Sequence, residues 1–178
     1  GAEEVNGVMN ATFAGLLDVA YRYGGGLLKF GGDALLLFYE GEDHAPRAAT
    51  AAFRMRALLR QIGRPVTLGG RVSLRMHVGI HSGPFDFFLV GSTHRELVVA
   101  GPSATRTVEM EARAAADEIL LSGEAAALVS GRLLGDARPD GGRRRTGGCA
   151  PRRRRLRPHA RGRPRGPDGA APEHPRKP

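Results

Sequence analysis

The sequence predicts an α+β domain in which helices pack on one mixed sheet. Two amphipathic segments, residues 3–23 and 45–62, place apolar side chains at helical spacing. Two apolar runs lie between them and are joined by a Gly-Gly turn, which is typical of a β-hairpin. Residues 74–80 then alternate apolar and polar side chains, as a strand does. The predicted helices alternate with strands, and two of the strands form an antiparallel hairpin. This order indicates an α+β fold.

Glycines mark the end of the first helix and the turn of the hairpin. Gly24–Gly26 follow the first helix directly and are expected to end it. The hairpin spans residues 27–39, because Gly31 and Gly32 can supply the positive φ of a tight turn. Asp33 stands where the second run begins. A carboxylate at the mouth of such a turn suits a hard cation such as Mg²⁺. An Asp in this position also often hydrogen-bonds its own backbone, so both interpretations stay open.

The second half of the domain continues the alternation of helices and strands. Alanines on the inward face of the 45–62 helix indicate close packing on a sheet. Pro102 suits the first turn of a helix, and Ser122 is a good N-cap for a last short helix. The other predicted elements are strands over residues 85–90, 96–101 and 118–122, and helices over 102–115 and 122–129.

The composition divides the chain at about residue 134. The 178 residues carry a net charge of +9. Residues 136–178 hold fourteen Lys or Arg against four Asp or Glu, and eight of the twelve prolines. This segment has too few apolar residues to offset the entropy of ordering, so it is expected to be disordered. It is either a polybasic arm for nucleic acid or anionic lipid, or the product of a GC-rich gene that is read past a frameshift. It contains no aromatic residue for base stacking, and nucleic-acid binding is therefore the weakest of the function classes.

Cysteine usage and hydropathy exclude several other classes. The single cysteine, Cys149, excludes a disulfide framework and a cysteine-based metal site. No apolar run has the length of a membrane span, and no signal peptide is visible. The chain starts at Gly1 inside an amphipathic pattern, as a fragment of a domain would. The expected protein is soluble and cytoplasmic, with no membrane partner.

Four blocks in this order resemble the class III nucleotidyl cyclases, the catalytic domains of adenylyl and guanylyl cyclases. The first is the turn Lys29–Ala34, which is similar to the family's Lys-x-x-Gly-Asp turn. The others are Leu74–Pro84, similar to the central strand and its Gly-Ile-His-x-Gly turn, Glu96–Gly101, and the closing strand Glu118–Ser122. The resemblance implies the ferredoxin-like α/β sandwich of these cyclases for residues 1–134, and it leaves 135–178 as a disordered basic tail.

The resemblance implies a metal role for Asp33. In the family, two aspartates hold two Mg²⁺ or Mn²⁺ ions, which bind ATP and activate its 3′-hydroxyl for attack on the α-phosphate. Asp33 matches the aspartate of the Gly-Asp turn. The other aspartate lies on the family's first strand, which would precede Gly1 together with the phosphate-binding loop.

The family's active site forms between two cyclase domains, and the complementary set of residues is degenerate in this chain. The base-reading position is Val98, the Asn position is Thr105 and the Arg position is Glu109. Val98 cannot hydrogen-bond a purine through its side chain, and Glu109 repels phosphates. The resemblance also places His77 near the terminal phosphates, where a positive charge is needed. This chain alone is therefore expected to make little or no cyclic nucleotide.

The segment from Phe88 to Glu111 is most similar to the first catalytic domain of bicarbonate-responsive soluble adenylyl cyclases. There, the degenerate site holds bicarbonate through the Lys of the turn, which matches Lys29. The partner Arg aligns with Val108, and Arg106 lies two residues away.

The chain is therefore interpreted as the metal-donating half of a two-domain adenylyl cyclase, with ATP and a second cyclase domain as its partners. The alternative is a catalytically inactive cyclase-homology module that acts by dimerisation or regulation. The remaining candidates are interpreted as structural residues. His81 is assigned to the strand and its turn, and His44 and His94 are assigned to loops. The phenylalanines are interpreted as residues of the core or of a dimer face; they are Phe85, Phe87 and Phe88.

Overall fold

The amino-terminal half folds into a helix, a hairpin and a second helix. The structure is a computed structural model that describes residues 2–62, 66–67, 70–71, 74–137 and 142–145. The helices and strands of this half are α1 (Ala2–Arg22), β1 (Gly25–Gly31), β2 (Ala34–Tyr39) and α2 (His44–Ile62). All four were predicted within about two residues.

The β1–β2 hairpin is shaped by two glycines and one bulge. Gly24, with φ of 73°, reverses the chain after α1, and Gly32, with φ of 69°, forms the turn between the strands. The pairing shifts between Leu27 and Lys29, so Leu28 is an extra residue in β1. As a result Leu27 and Leu28 are both half-buried, whereas Lys29 is exposed.

Helix α2 is the central packing element of the described residues. One side contacts α1, where Ala51 and Met55 are buried against Leu16 and Ala20. The other side presents small alanines to the sheet, and their cluster includes Ile80, Ile119 and Leu121. The predicted close packing of α2 on a sheet is confirmed, because alanine brings the helix backbone near the strands.

The second half forms a four-stranded sheet and two separate hairpins. Its elements are β3 (Val66–Thr67), β4 (Gly70–Arg71), β5 (Val78–Ile80), β6 (Asp86–Val90), β7 (Glu96–Ala100), α3 (Pro102–Arg113), β8 (Ile119–Leu121), α4 (Gly123–Ala127), a 3-10 turn (Gly131–Leu133), β9 (Leu134–Ala137) and β10 (Arg143–Arg145). The four-stranded sheet has the order β5-β8-β10-β9. Strands β5 and β8 are parallel, and β10 is antiparallel to its neighbours, so the predicted mixed sheet is confirmed. The predicted strand over 74–80 is shorter, since residues 74–77 pair with no strand among those described.

Strand β5 approaches α3 so closely that only glycine fits at residue 79. A Cβ built on Gly79 would lie 2.1 Å from the backbone nitrogen of Glu111. Met110, one residue earlier on α3, is fully buried. Gly79 therefore fixes the position of α3 on the sheet through backbone contact, and α3 carries several of the candidate site residues.

The ordered sheet extends past the domain boundary that was predicted at residue 134. Strand β10 pairs with β8 through Arg143 and Arg144, and with β9 through Arg143 and Arg145. Arginine-rich segments lack apolar periodicity, but strand pairing uses backbone groups, which every non-proline residue supplies. Residues 146–178 lie outside the described residues, and their predicted disorder stays a prediction.

Two truncations separate the β10 strand from the rest of the tail. Deletion of residues 136–178 removes the strand that covers the edge of β8. We expect a fall of several degrees in the thermal midpoint, since the buried strand β8 loses its backbone partners. Deletion of residues 146–178 is the matched control and should leave the midpoint within about one degree. Equal midpoints for the two truncations would show that β10 contributes nothing to stability.

Every helix in the described part of the chain is too short or too polar to span a membrane.

Candidate functional site

Asp33 lies at the exposed tip of the β1–β2 hairpin. It follows Gly32 in the turn and directly precedes β2. The side chain forms no hydrogen bond with the described residues, so the alternative of an Asp bonded to its own backbone is not observed. Its carboxylate oxygens are open to solvent and available to an incoming cation.

The predicted metal role rests on the carboxylate of Asp33. A carboxylate such as that of Asp33 is the oxygen ligand that Mg²⁺ and Mn²⁺ prefer. Within the ranges that the structure describes, however, no group of three or more His, Cys, Asp or Glu residues could hold a metal ion. A metal ion bound at Asp33 would therefore need further ligands from outside the described residues.

Lys29 forms an ion pair with Glu96, which begins β7. The Lys29 Nζ donates a hydrogen bond to Glu96 Oε1, and both side chains are about half exposed. This bond and the charge of Lys29 hold the pKa of Glu96 below its usual value. The ammonium group thus already has an anionic partner, and a bound anion would have to compete with Glu96.

His77 is paired in a similar way. Its Nε2 lies 2.6 Å from Glu111 Oε1 on α3, and both side chains are partly exposed. Protonation of His77 would create an ion pair with Glu111. A phosphate bound beside His77 would therefore be repelled by the carboxylate of Glu111.

The three degenerate positions lie on β7 and α3. Val98 is 38% exposed. Thr105 is exposed, and its Oγ1 donates to the Gly101 carbonyl at 3.5 Å. Glu109 accepts a hydrogen bond from Arg106 Nη1 at 2.9 Å. Arg113 Nη2 lies 3.9 Å from the same Glu109 oxygen. The carboxylate of Glu109, which stands where the family has an Arg, is therefore paired with arginines of its own helix.

The β6–β7 hairpin exposes a large amount of apolar surface. Phe88 is 53% exposed, Leu89 67% and Val90 55%. Phe87 is the best anchored residue of β6, since its ring packs edge-on against Phe38 with centroids 5.2 Å apart. Exposed apolar patches of this kind mark protein–protein contacts, so the dimer-face interpretation suits Phe88 better than the core interpretation.

Two further histidines, His44 and His81, have side-chain partners. His44 Nε2 lies 2.6 Å from Ser82 Oγ. His81 Nδ1 lies 2.9 Å from Ser122 Oγ, and burial lowers the pKa of His81. These contacts tie turns to neighbouring elements. His94 is exposed beside the β6–β7 turn, as expected of a loop residue.

Glu96 and Glu111 are the partners that sequence reasoning missed. Glu96 is 67 residues from Lys29, and Glu111 is 34 residues from His77. No local spacing rule links residues this far apart in sequence, so a fold was needed to find these pairs.

Comparison with solved structures identifies the fold. The guanylate cyclase domain of RhGC from Catenaria anguillulae, in complex with GTP, matches with a TM-score of 0.67 and 20% identity, over 81% of this chain and 82% of that one. The adenylyl cyclase CyaB from P. aeruginosa matches with a TM-score of 0.64 and 24% identity, over 72% of this chain and 69% of that one. The domain therefore has the nucleotidyl cyclase fold.

Sequence comparison places the chain within a family. Residues 2–138 match the adenylate and guanylate cyclase catalytic domain, and the chain belongs to this family. A membrane guanylyl cyclase of Dictyostelium discoideum is 33% identical over 99 residues, which are 56% of this chain and 6% of that protein. The chain thus corresponds to a small part of that relative.

Proposed function

We propose that this domain is the metal-donating half of a two-domain adenylyl cyclase, which forms cyclic AMP and pyrophosphate from ATP in the cytoplasm. The observation that carries the proposal is the exposed carboxylate of Asp33, free of hydrogen bonds to the described residues, at the tip of the β1–β2 hairpin. When bound, Mg²⁺ or Mn²⁺ would neutralise the triphosphate and activate the 3′-hydroxyl. Asp33 would hold and orient the metal from this side.

The complementary half of the site has to come from a second cyclase domain. Val98 offers no polar group to a purine, and Glu109 brings negative charge to the position that faces phosphates. Arg106 and Arg113 lie close to Glu109, so their charges are directed to a carboxylate of the same helix. The exposed apolar side chains of the β6–β7 hairpin supply a surface on which the partner domain can dock.

Two strands have an edge with no partner strand among the described residues, and an additional strand could pair there. Strand β2 pairs only with β1, and β5 pairs only with β8, among the residues described. Both β2 and β5 contact α2. A strand between them would satisfy the backbone groups of both edges. We propose that the family's first strand lies there and brings the second aspartate toward Asp33.

Lys29 has a regulatory role in this proposal. The likeness to bicarbonate-responsive soluble adenylyl cyclases suggests that Lys29 binds a small anion. The Lys29 ammonium group already forms an ion pair with Glu96. A small anion would therefore have to displace the Glu96 carboxylate. The side chains of both Lys29 and Glu96 are exposed to solvent, which screens the ion pair, so a millimolar anion can compete with Glu96.

The purified 178-residue chain is expected to be inactive. We expect no cyclic AMP above background from the chain with ATP and Mn²⁺. The described residues contain no group of three or more metal ligands, and Val98, Thr105 and Glu109 stand at the complementary positions. Addition of a separate, catalytically complementary cyclase domain and the missing strand should restore turnover. An active isolated chain would contradict the proposal, and GTP in a parallel assay measures the purine preference.

A catalytically inactive module is the second candidate function. The observation that favours it is that the described residues contain no group of three or more side chains that could hold a metal ion. Such a module would use the β6–β7 hairpin for dimerisation only. The affinity of such a module for its partner would not change when Asp33 is substituted.

A further inference from the structure

The turn after β5 contains a serine that is bonded to a histidine from another element. Ser82 Oγ lies 2.6 Å from Nε2 of His44, the first residue of α2. The other ring nitrogen of His44, Nδ1, lies 2.6 Å from the carbonyl oxygen of Gly41. The contact involves none of the cyclase site residues.

The Gly41 carbonyl fixes the tautomer of His44. A carbonyl oxygen only accepts hydrogen bonds, so Nδ1 carries the proton and donates it to Gly41. In the neutral ring, Nε2 then has a free lone pair that accepts the hydroxyl proton of Ser82. A nucleophile, a base within 2.6–3.2 Å and a third group that orients the base form the arrangement that activates serine hydroxyls.

A second serine–histidine contact in the molecule has a different character. Ser122 Oγ lies 2.9 Å from His81 Nδ1. Ser122 is completely buried, and its oxygen accepts the Ala125 N–H at 3.3 Å as the N-cap of α4. No substrate can reach it, so this pair is structural. Ser82 is only half-buried and borders a cleft of about 420 Å³.

The walls of this cleft contain hydrogen-bond donors at the start of α3. Ser103 is 5% exposed and borders the cleft, and its hydroxyl has no hydrogen-bond partner among the described residues. Helix α3 also has no side-chain cap. Its first amides, those of Ser103 and Ala104, therefore lack acceptors within the helix. Such donors stabilise a developing oxyanion.

The remaining lining of the cleft indicates the substrate class. Pro84 and Pro102 provide apolar surface. Arg106 and Glu124 both border the cleft, and Arg106 is already paired with Glu109. The cleft thus has no excess of positive charge for an anion and suits a small, uncharged acyl group.

We propose that Ser82 is a nucleophile toward small uncharged carboxylic esters, with His44 as its general base. Ser82 Oγ bonds to the ester carbonyl carbon, its proton passes to His44 Nε2, and the carbonyl electron pair moves to oxygen. The intermediate collapses, and the departing alkoxide takes the proton from Nε2. Water then attacks acyl-Ser82 with the same base and releases the carboxylic acid and the free hydroxyl.

A fluorophosphonate probe tests the reactivity of the serine in the intact chain. The serine oxygen bonds to phosphorus and fluoride leaves, so the labelled residue is found by peptide mass spectrometry. We expect the label on Ser82. The internal controls are Ser122, which is buried, and Ser92 and Ser130, which are exposed but have no histidine partner. Labelling that is equal at Ser82, Ser92 and Ser130, or absent at Ser82, would overturn the proposal.

Two variants then test the base. His44→Gln should slow labelling of Ser82 by about 10²-fold, because a positioned general base contributes 10²–10⁴. Ser130→Ala should leave the rate unchanged. Hydrolysis of p-nitrophenyl acetate should fall in parallel with labelling in Ser82→Ala and His44→Gln. Unchanged labelling in a folded His44→Gln protein would show that His44 only ties α2 to the turn.

Discussion

Asp33→Asn is expected to remove most cyclase activity from the full protein that carries this domain with its complementary domain. The substitution keeps the size of the side chain but removes the charge that balances divalent ions beside a triphosphate. Loss of one group that stabilises transition-state charge typically lowers the rate by roughly 10²–10³, and a ligand shared by two metals should cost at least as much. Cyclic AMP formation at saturating ATP and Mn²⁺ measures the effect.

Two further substitutions show whether this loss is specific. Asp18→Asn changes an exposed carboxylate on α1 that pairs with Arg22, and activity should stay within about twofold. Lys29→Ala should alter the basal rate or the stimulation by bicarbonate without abolishing turnover. Equal losses for Lys29→Ala and Asp33→Asn would place Lys29 in the catalytic pocket and contradict the assignment of halves. Full activity of Asp33→Asn would leave the dimerisation module as the function.

Gly79→Ala is expected to have the largest effect on stability. Its Cβ would stand 2.1 Å from the Glu111 nitrogen and 2.6 Å from the Glu111 Cα, and both are backbone atoms that cannot rotate away. Helix α3 would have to move off β5 and open the contacts around the fully buried Met110. Overpacking of this kind costs about 3 kcal/mol or more. We expect a thermal midpoint roughly 10 °C lower by circular dichroism.

Other glycines provide matched controls for this substitution. Gly26 lies in β1 and has no atom within 4 Å of a built Cβ, so Gly26→Ala should be tolerated. Gly7 lies in α1 with equally open space, and Gly7→Ala should stabilise the domain by about 0.5–1 kcal/mol through helix propensity. A Gly79→Ala protein as stable as Gly26→Ala would show that α3 adapts freely to the sheet.

Local patterns predicted most elements of the fold. Helical spacing located α1 and α2, and the Gly31-Gly32 turn located the β1–β2 hairpin, because these signals act over a few residues. Strand β10 was missed for the opposite reason. Its arginines have neither apolar alternation nor strong strand propensity, and it is held by backbone pairing with the distant strand β8.

The candidate site could be predicted only in part. The resemblance pointed to Asp33, and the structure leaves that carboxylate exposed. The partners of Lys29 and His77 depend on how β7 and α3 fold back on the hairpin and sheet, and sequence spacing contains no record of such long-range contacts. The same holds for the contact between Ser82 and His44. Ser82 falls within the Leu74–Pro84 block and His44 was interpreted as a loop residue, and the packing of α2 brings them together.

The β8–β10 pairing has an evolutionary consequence. Strand β10 pairs with β8 through backbone groups, and every residue except proline can supply these groups, so the pairing itself does not require particular side chains. A lineage in which the reading frame shifts after residue 134 can replace the whole carboxyl terminus and still close the sheet, provided that the new codons avoid proline at the paired positions. Here the prolines of the arginine-rich segment lie at 139 and from 151 onward, outside Arg143–Arg145. Sheet edges of this kind are places where a protein domain can acquire entirely new sequence without losing its fold.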